Sequence, residues 1–522
     1  MRKRTNTFVG AIALVAALFA GSTASNAQTP TTRPLCPFPV GTPSLPNLFS
    51  TGNETAGQQV ANCIAWQQFI YLNWQAKPGG VVPDTSVRFS QFGVQPLAQP
   101  PVWQTYLPAT TVMSGNVSGP GNTGNRPPLV LQAINKYGFS GINQASGAVW
   151  LTSQAGNLTY YDVRMNPNEV DFIQRALPGQ PLNGKAAQFN CATLAPSGSQ
   201  AGFRLPMGYG NDTDCLGNRM VFGDGTGTIE LKAAWLILPP NDPNNNRYLT
   251  AQAQVTDPNG VTSTRTVGLV GLHIIRRMPG ASQMVWSTFE HVDNSPNYNL
   301  ATRVASDPRP ATGAPRNARS SYTYFNPTCT ETSDPHYKCQ VNIAPTAACT
   351  APNTPAGCAP YTAPQQIGRT TPLDNYANAV NAWVWRQLPP ASVFQYYRLI
   401  DVQWPTVPKP RQLTAGQLVP HAQNNQPPIP NNMVPNLVSL APNTRVIANT
   451  TMETYAQRGS PAAQGGPATC MDCHASANIA TRTTDQQHGA ALQRAIRRPP
   501  PLQPKDYLSS YSFIFSQQTV LP

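Results

Sequence analysis

The sequence of 522 residues predicts an α+β fold that is rich in β-structure, with a large, mostly antiparallel β body and a few helices. Two observations lead to this prediction. From about Val81 to Arg277, short apolar runs alternate with turn residues, and apolar residues at helical spacing are confined to a few stretches. The 55 prolines imply many loops and edge-type turns. A short, mainly helical segment is expected to follow the body at the C-terminus.

The strands are predicted from β-rich runs that lie between turn signals. A hairpin is expected around Gly156-Asn157. The segment Gly223–Gly227 is rich in glycine, but a strand follows it where a phosphate-binding loop would need a helix, so we expect a turn there. The predicted strands are 148–152, 158–163, 228–238, 249–256, 264–276, 284–292 and 394–404.

Three helices are predicted in the body. In Val60–Trp74, apolar residues recur every three to four positions, which is the spacing of one buried helix face. Asn166 is placed to cap a second helix that begins at Pro167 and runs to about Leu177. The third is expected over 373–388, again from the helical spacing of its apolar residues.

The N-terminus has the features of a Sec-type signal peptide. Arg2, Lys3 and Arg4 precede an apolar stretch from Phe8 to Ala20, which is too short to span a bilayer. Small residues near Ala27 indicate cleavage after that residue, so residues 1–27 are assigned to the signal. We therefore expect a periplasmic or secreted protein with no transmembrane anchor.

Of the ten cysteines, Cys470 and Cys473 belong to a short motif that is described below, and the other eight do not. An even number of cysteines in an exported protein indicates disulfide bonds. Pairing between sequence neighbours is the simplest arrangement, although the last four cysteines could also pair crosswise. The pairs expected are Cys36–Cys63, Cys191–Cys215, Cys329–Cys339 and Cys349–Cys358.

The motif pair lies in Cys470-Met471-Asp472-Cys473-His474, which has the C-x-x-C-H pattern for attachment of a c-type haem. Cys470 and Cys473 would form thioethers to the haem, and His474 would be the proximal iron ligand. A redox-active C-x-x-C is the alternative, but such a motif is expected near a βαβ pattern, whereas a Gly- and Pro-rich loop precedes this one. We therefore expect one covalent haem c.

The second axial ligand cannot be read from the sequence, because no methionine follows Met471. The candidates are Met452, His488 and His291, with Met433 and His421 as further upstream possibilities. If the distal side is open instead, Glu290 and His291 could serve there as acid and base.

Four regions follow from these features. They are the signal peptide at 1–27, the β-rich body at 28–405, a Pro/Asn/Gln-rich connection at 406–444 and a cytochrome c-like, haem c-binding segment at 445–522. The body could form one or two subdomains, and its loop 305–365 is expected to be held by disulfides. The formal net charge of +13 is accompanied by no nucleic-acid motif, so nucleic acid is not expected as a partner.

Several strings resemble a group of exported bacterial mono-haem cytochrome c family proteins whose function is uncharacterised. They are Trp286–Asn294, Met452–Tyr455, the C-x-x-C-H and the Ser-Phe-Ile-Phe tail at 512–515. The resemblance implies a mono-haem periplasmic protein, and it does not supply a substrate.

The function expected first is electron transfer to or from a redox partner protein or a small-molecule electron donor or acceptor. The alternative is a haem-dependent oxidoreductase with an open distal site, acting on peroxide, oxygen or nitrogen oxides. A weaker alternative is a haem-based ligand-binding or sensing module.

Overall fold

A branched β-sheet forms the centre of the computed structural model, and two layers cover its faces. The fold is α+β, as predicted, with a mostly antiparallel sheet. The structure describes residues 35–46, 54–117, 128–133, 141–144, 149–194, 202–210, 212–278, 284–306, 322–330, 339–345, 348, 359–403, 446–457, 470, 474 and 512–515.

Eight described strands form the main sheet, and two short ones form a separate hairpin. The sheet order is β1-β3-β4-β6-β5-β2, with β7 also paired to β6 and β10 paired to β7. Only the β2–β5 pair is parallel among the described strands. The strands are β1 Leu107–Pro108, β2 Val130–Gln132, β3 Thr159–Met165, β4 Ile229–Ile237, β5 Thr250–Thr256, β6 Thr262–Arg276, β7 Val285–His291, β8 Asn297–Asn299, β9 Val304–Ser306 and β10 Tyr397–Gln403.

Strand β6 is the branch point of the sheet. One of its edges pairs with β4, while the other pairs first with β5 and then, from Gly271 onward, with β7. Its first residues, Thr262–Thr266, are largely exposed, and the apolar run that begins at Val267 is buried. The long apolar half of β6 therefore lies at the centre of the molecule.

Five α-helices occur among the described residues, and two of them, Glu54–Asn73 and Asn375–Trp385, cover one face of the sheet. The ring of Phe69 stacks on Phe289 of β7 at 4.3 Å between centroids. Asn381 joins the two helices to the sheet, because it accepts a hydrogen bond from Trp66 Nε1 and donates one to the carbonyl of Leu399. The helices are α1 Glu54–Asn73, α2 Ala109–Met113, α3 Pro167–Arg175, α4 Lys185–Thr193 and α5 Asn375–Trp385, of which α1 and α5 form this layer.

The opposite face of the sheet is covered by residues 446–457, which we call the strap. Asn449 donates hydrogen bonds to the Thr288 hydroxyl and the Phe289 carbonyl of β7. Thr451 and Asn449 lie so close to Gly271 that a Cβ atom there would collide with them. The start of the C-terminal segment is thus part of the packed molecule.

The predicted elements agree with the structure over most of the described body. The helix at Asn166 begins as expected, with the Asn166 side chain accepting a hydrogen bond from Glu169 N. Helix α4 was not predicted, and the predicted strand 148–152 is wrong, because its described residues form only an isolated bridge between Thr152 and Leu158. The connection 406–444 and His488 lie outside the described residues.

Three of the four expected disulfides are present: Cys36–Cys63, Cys191–Cys215 and Cys329–Cys339. Cys349 and Cys358 lie outside the described residues. Structural disulfides indicate an oxidising compartment. Within the described part of the chain, we find no helix with the length and apolar character needed to cross a membrane.

Candidate functional site

The two described residues of the C-x-x-C-H motif, Cys470 and His474, lie on one row of residues that crosses the sheet. The strand registers place Met165, Glu230, Ile275, Trp286 and Gln403 side by side on β3, β4, β6, β7 and β10. Directly paired residues of neighbouring strands point to the same face of a sheet. We call these five residues the floor row.

Cys470 and His474 both contact this row. The backbone N–H of Cys470 donates a hydrogen bond to Gln403 Oε1 at 3.1 Å. The ring of His474 lies 4.3 Å from Trp286 and 4.8 Å from Phe513, measured between centroids. Both motif residues have helical backbone and are half-buried.

An apolar cluster surrounds the motif. Cys470 packs against it, and it belongs to none of the three disulfides. The tail contributes Ile514 and Phe515 to the cluster, and the sheet contributes Ile275 and Trp286. Apolar surroundings limit contact with water. The degree of burial is one of the factors that set the redox potential of a haem.

The residues present fit a covalent haem. Cys470 and His474 have the required spacing, with Cys473 between them in the sequence but outside the described residues. The indole Nε1 of Trp286 is buried, and it has no hydrogen-bond partner among the described residues. An indole N–H beside the proximal histidine would find an acceptor in a haem carboxylate.

A polar group lies next to the floor row on the same face. His273 Nε2 is 3.4 Å from Glu453 Oε2 of the strap, and Lys232 lies 5.1 Å from the centre of the Tyr161 ring. Burial raises the pKa of Glu453, but His273, the Asn449 N–H and Lys232 together lower it below its ordinary value. The sequence analysis did not select His273, although a single histidine in the apolar run Val267–Ile275 was a signal for it.

Glu290 anchors the strap and does not lie at the motif. It forms ion pairs with Arg369 and Arg398, and it accepts hydrogen bonds from Thr450 N and Oγ1 at 2.9 and 2.7 Å. Burial raises the pKa of Glu290, but the two guanidinium groups and Thr450 lower it to about 2. A carboxylate held in this way is a structural anion, which argues against the expected role of Glu290 as a distal acid.

His291 is turned to the other face of β7. It is fully buried and stacks on Tyr248 at 4.1 Å between centroids. Its Nε2 is 3.1 Å from the Arg247 carbonyl, and its Nδ1 accepts a hydrogen bond from Asp293 N. Since Trp286 and His291 are five residues apart on one strand, their side chains point to opposite faces. This arrangement argues against His291 as an iron ligand or distal base.

Met452 lies on the motif's side of the sheet but in a different part of the core. It is fully buried in a cluster with Tyr161, Tyr324, Ile367 and Tyr455, separate from the cluster that contains Cys470. The structure therefore brings Cys470 and His474 together with Trp286, and it places Met452 apart from them.

Two buried glutamates lie beside the floor row, and we call Glu169 and Glu230 the carboxyl pair. The Asn166 side chain accepts hydrogen bonds from Glu169 N and from Ile229 N, which brings the start of α3 to the start of β4. Glu169 is 0% exposed and Glu230 is 6% exposed. Burial, together with the Glu230 carboxyl, raises the pKa of Glu169 well above its ordinary value, and burial also raises that of Glu230.

No family model matches this chain, and no curated protein or solved structure matches it either. The functional interpretation therefore depends on the motif and on the residues that surround it.

Proposed function

We propose that this chain is an exported c-type cytochrome that carries one haem c and transfers electrons in the periplasm. Cys470 and Cys473 would hold the haem through thioethers, and His474 would be its proximal iron ligand. The observation that carries the proposal is the position of the motif. Cys470 packs against an apolar cluster and hydrogen-bonds to Gln403, while the ring of His474 lies against Trp286 and Phe513.

Each neighbouring residue has a definable task in this proposal. Bound haem c would supply reversible one-electron chemistry at its iron. Gln403 holds the backbone at Cys470 and so fixes the start of the helical turn. Trp286 and Phe513 both contact the ring of His474 and would limit its rotation, and Ile514 and Phe515 belong to the apolar cluster against which Cys470 packs. The electron would be exchanged with a redox protein or a small-molecule donor or acceptor.

Export is supported by features far from the motif. The N-terminal residues have the pattern of a signal peptide, and the three disulfides fit an oxidising compartment. Attachment of c-type haem takes place outside the cytoplasm. The same compartment would therefore allow both disulfide formation and thioether attachment of the haem.

A haem-dependent oxidoreductase is the second candidate, and one observation favours it. His273 and Glu453 lie on the motif's side of the sheet, with side chains 15% and 24% exposed. A histidine paired with a carboxylate is a common general acid–base arrangement. In this alternative the pair replaces Glu290 and His291, which the structure commits to other contacts.

The proposal is tested by expressing the chain in a host that attaches c-type haem and recording optical spectra of the purified protein. We expect a haem that stays with the chain under denaturing conditions, and loss of this covalent haem in Cys470→Ala and Cys473→Ala. Met452→Leu is the matched control, because it lies outside the motif cluster and should retain covalent haem. A protein that is exported and folded but carries no haem would contradict the proposal.

Carbon monoxide separates the two candidates. A reduced haem that does not bind CO would support electron transfer, because both axial positions are then filled. A reduced haem that binds CO would favour the oxidoreductase, and His273→Gln and Glu453→Gln should then lower peroxide turnover.

A further inference from the structure

The carboxyl pair is a buried polar group that has no role in the proposed function. Its two side chains come from α3 and β4, and they are buried together. Neither oxygen of Glu169 forms a hydrogen bond of good geometry with a described residue, and the same is true of Glu230 Oε1. Two adjacent buried carboxyl groups cannot both ionise without a large cost, so the pair retains at least one proton.

The charged groups on the neighbouring strands interact with other carboxylates than the carboxyl pair. On β4 and β6, Lys232 and His273 act on Glu453 and lower its pKa. After β6, Arg277 acts on Asp212, whose pKa is raised by burial and only partly lowered again by the Met207 and Gly208 N–H groups and by Arg277. No described cation lowers the pKa of Glu169 or of Glu230.

Among the described residues, the other elements around the pair supply no cation that acts on its pKa. On α3, Asp171 is paired with Arg175. Burial lowers the pKa of Lys185 on α4 and of Arg204 on the loop that contributes to the apolar cluster. The remaining polar neighbour is Ser512, which hydrogen-bonds to Glu230 and is uncharged.

The pair is connected to the haem-attachment motif by two short paths. Ser512 contacts Glu230, and the next residue, Phe513, contacts the ring of His474. Along the floor row, Glu230 is two strands from Trp286, which corresponds to roughly 10 Å between Cα atoms. The haem iron would lie beyond Trp286, next to His474, and at roughly 15 Å a unit charge in a protein interior changes proton affinity by a factor of about five to ten.

We propose that the carboxyl pair is a proton-binding site that takes up a proton when the haem at His474 is reduced. This inference rests on the proposed function. With haem bound, the donor would supply one electron to the haem, and one proton from water would bind to the Glu230 carboxylate. Reoxidation releases both, so no other bond is formed or broken.

The pH range follows from the pair itself. Burial raises the pKa of Glu230 to about 7, so this group changes protonation near neutral pH. An added electron favours the protonated form, and the reduced protein therefore binds the proton more tightly than the oxidised protein. The midpoint potential should fall as pH rises through this range.

The test is a potentiometric titration of the haem-loaded protein from pH 5 to pH 9. Tenfold tighter proton binding in the reduced state corresponds to a total fall in midpoint potential of about 59 mV. Glu230→Gln removes the titrating group and should abolish this fall. The double variant Glu169→Gln/Glu230→Gln should do the same, because it leaves no buried carboxyl in the pair.

Asp84→Asn is the control, since it makes the same carboxyl-to-amide change at a solvent-accessible group whose pKa is lowered rather than raised. This variant should keep the pH dependence of the wild-type protein. A wild-type potential that is independent of pH, or one whose dependence persists in Glu169→Gln/Glu230→Gln, would overturn the inference. The optical spectrum of the same samples reports haem separately, so a protein without haem would show failure of the proposed function instead.

Discussion

At the scale of single residues, two neighbours in the sequence have separate tasks. Glu290 points to the strap, where it binds two arginines and Thr450, while His291 points to the helix-covered face and stacks on Tyr248. Adjacent residues of a strand face opposite sides of the sheet. The pair Glu290-His291 therefore cannot form one acid–base unit, although its residue types suggested one.

Replacement of Glu290 should be strongly destabilising. Glu290→Gln leaves Arg369 and Arg398 buried without a carboxylate, and breaking a buried ion pair costs about 3–5 kcal/mol. Urea unfolding at pH 7 measures this loss. Glu453→Gln, at a partly exposed pair, should cost no more than about 1 kcal/mol. Equal effects of the two substitutions would show that Glu290 does not anchor the strap.

The cost of Glu290→Gln should also depend on pH. The pKa of Glu290 is lowered to about 2 in the folded protein, against an ordinary value of 4.5. A group with a lowered pKa contributes stability above its unfolded pKa and loses it as the pH falls. The stability difference between wild type and variant should be constant above about pH 5 and should shrink as the pH falls toward 2. A difference that grows in acid would contradict this account.

At the scale of elements, the close approach between the strap and β6 depends on a glycine. A Cβ atom at position 271 would collide with Thr451 and Asn449, which hold the strap on the sheet. Much of this was not predictable from the sequence, because the strap contains no apolar periodicity that reveals its partner. Its position is determined by side-chain hydrogen bonds from Asn449 and Thr450 to β7.

Replacement of this glycine should loosen the strap. Gly271→Ala is expected to cost about 1–3 kcal/mol in the free energy of unfolding, because the added methyl group overpacks the contact. Gly184→Ala is the matched control, since a Cβ atom there meets nothing within 4 Å. Denaturant unfolding of both variants makes the comparison. An unchanged stability of Gly271→Ala would mean that the strap does not lie on β6.

At the scale of the whole molecule, the sequence predicted the central strands to within one or two residues, because long β-rich runs between turns have few other interpretations. It did not predict the floor row, since cross-strand neighbours depend on register and on the branch at β6. Helix α4, with its mixed sequence Lys185–Thr193, gave no clear apolar period. Most of the motif's neighbours are far from it in the sequence. The motif was therefore identified from the sequence, while Trp286, Gln403, His273 and Glu230 required the fold.

The disulfide bond of α4 lies in the apolar cluster beside Cys470. Cys191–Cys215 joins α4 to a loop within the apolar cluster against which Cys470 packs. Its removal in Cys191→Ala/Cys215→Ala should lower the free energy of unfolding by about 2–5 kcal/mol. Thermal unfolding of the purified variant would measure the loss. A stability equal to that of the wild type would show that the bond is dispensable for this cluster.

The central claim is that Cys470 and Cys473 hold a haem, and mass spectrometry of the protease-derived peptide that contains both cysteines tests it most directly. The protein should first be exported by a host that attaches c-type haem. We predict a peptide whose mass includes one haem, bound through both sulfur atoms. A peptide from the exported, folded protein in which Cys470 and Cys473 are free thiols or joined as a disulfide would contradict the claim.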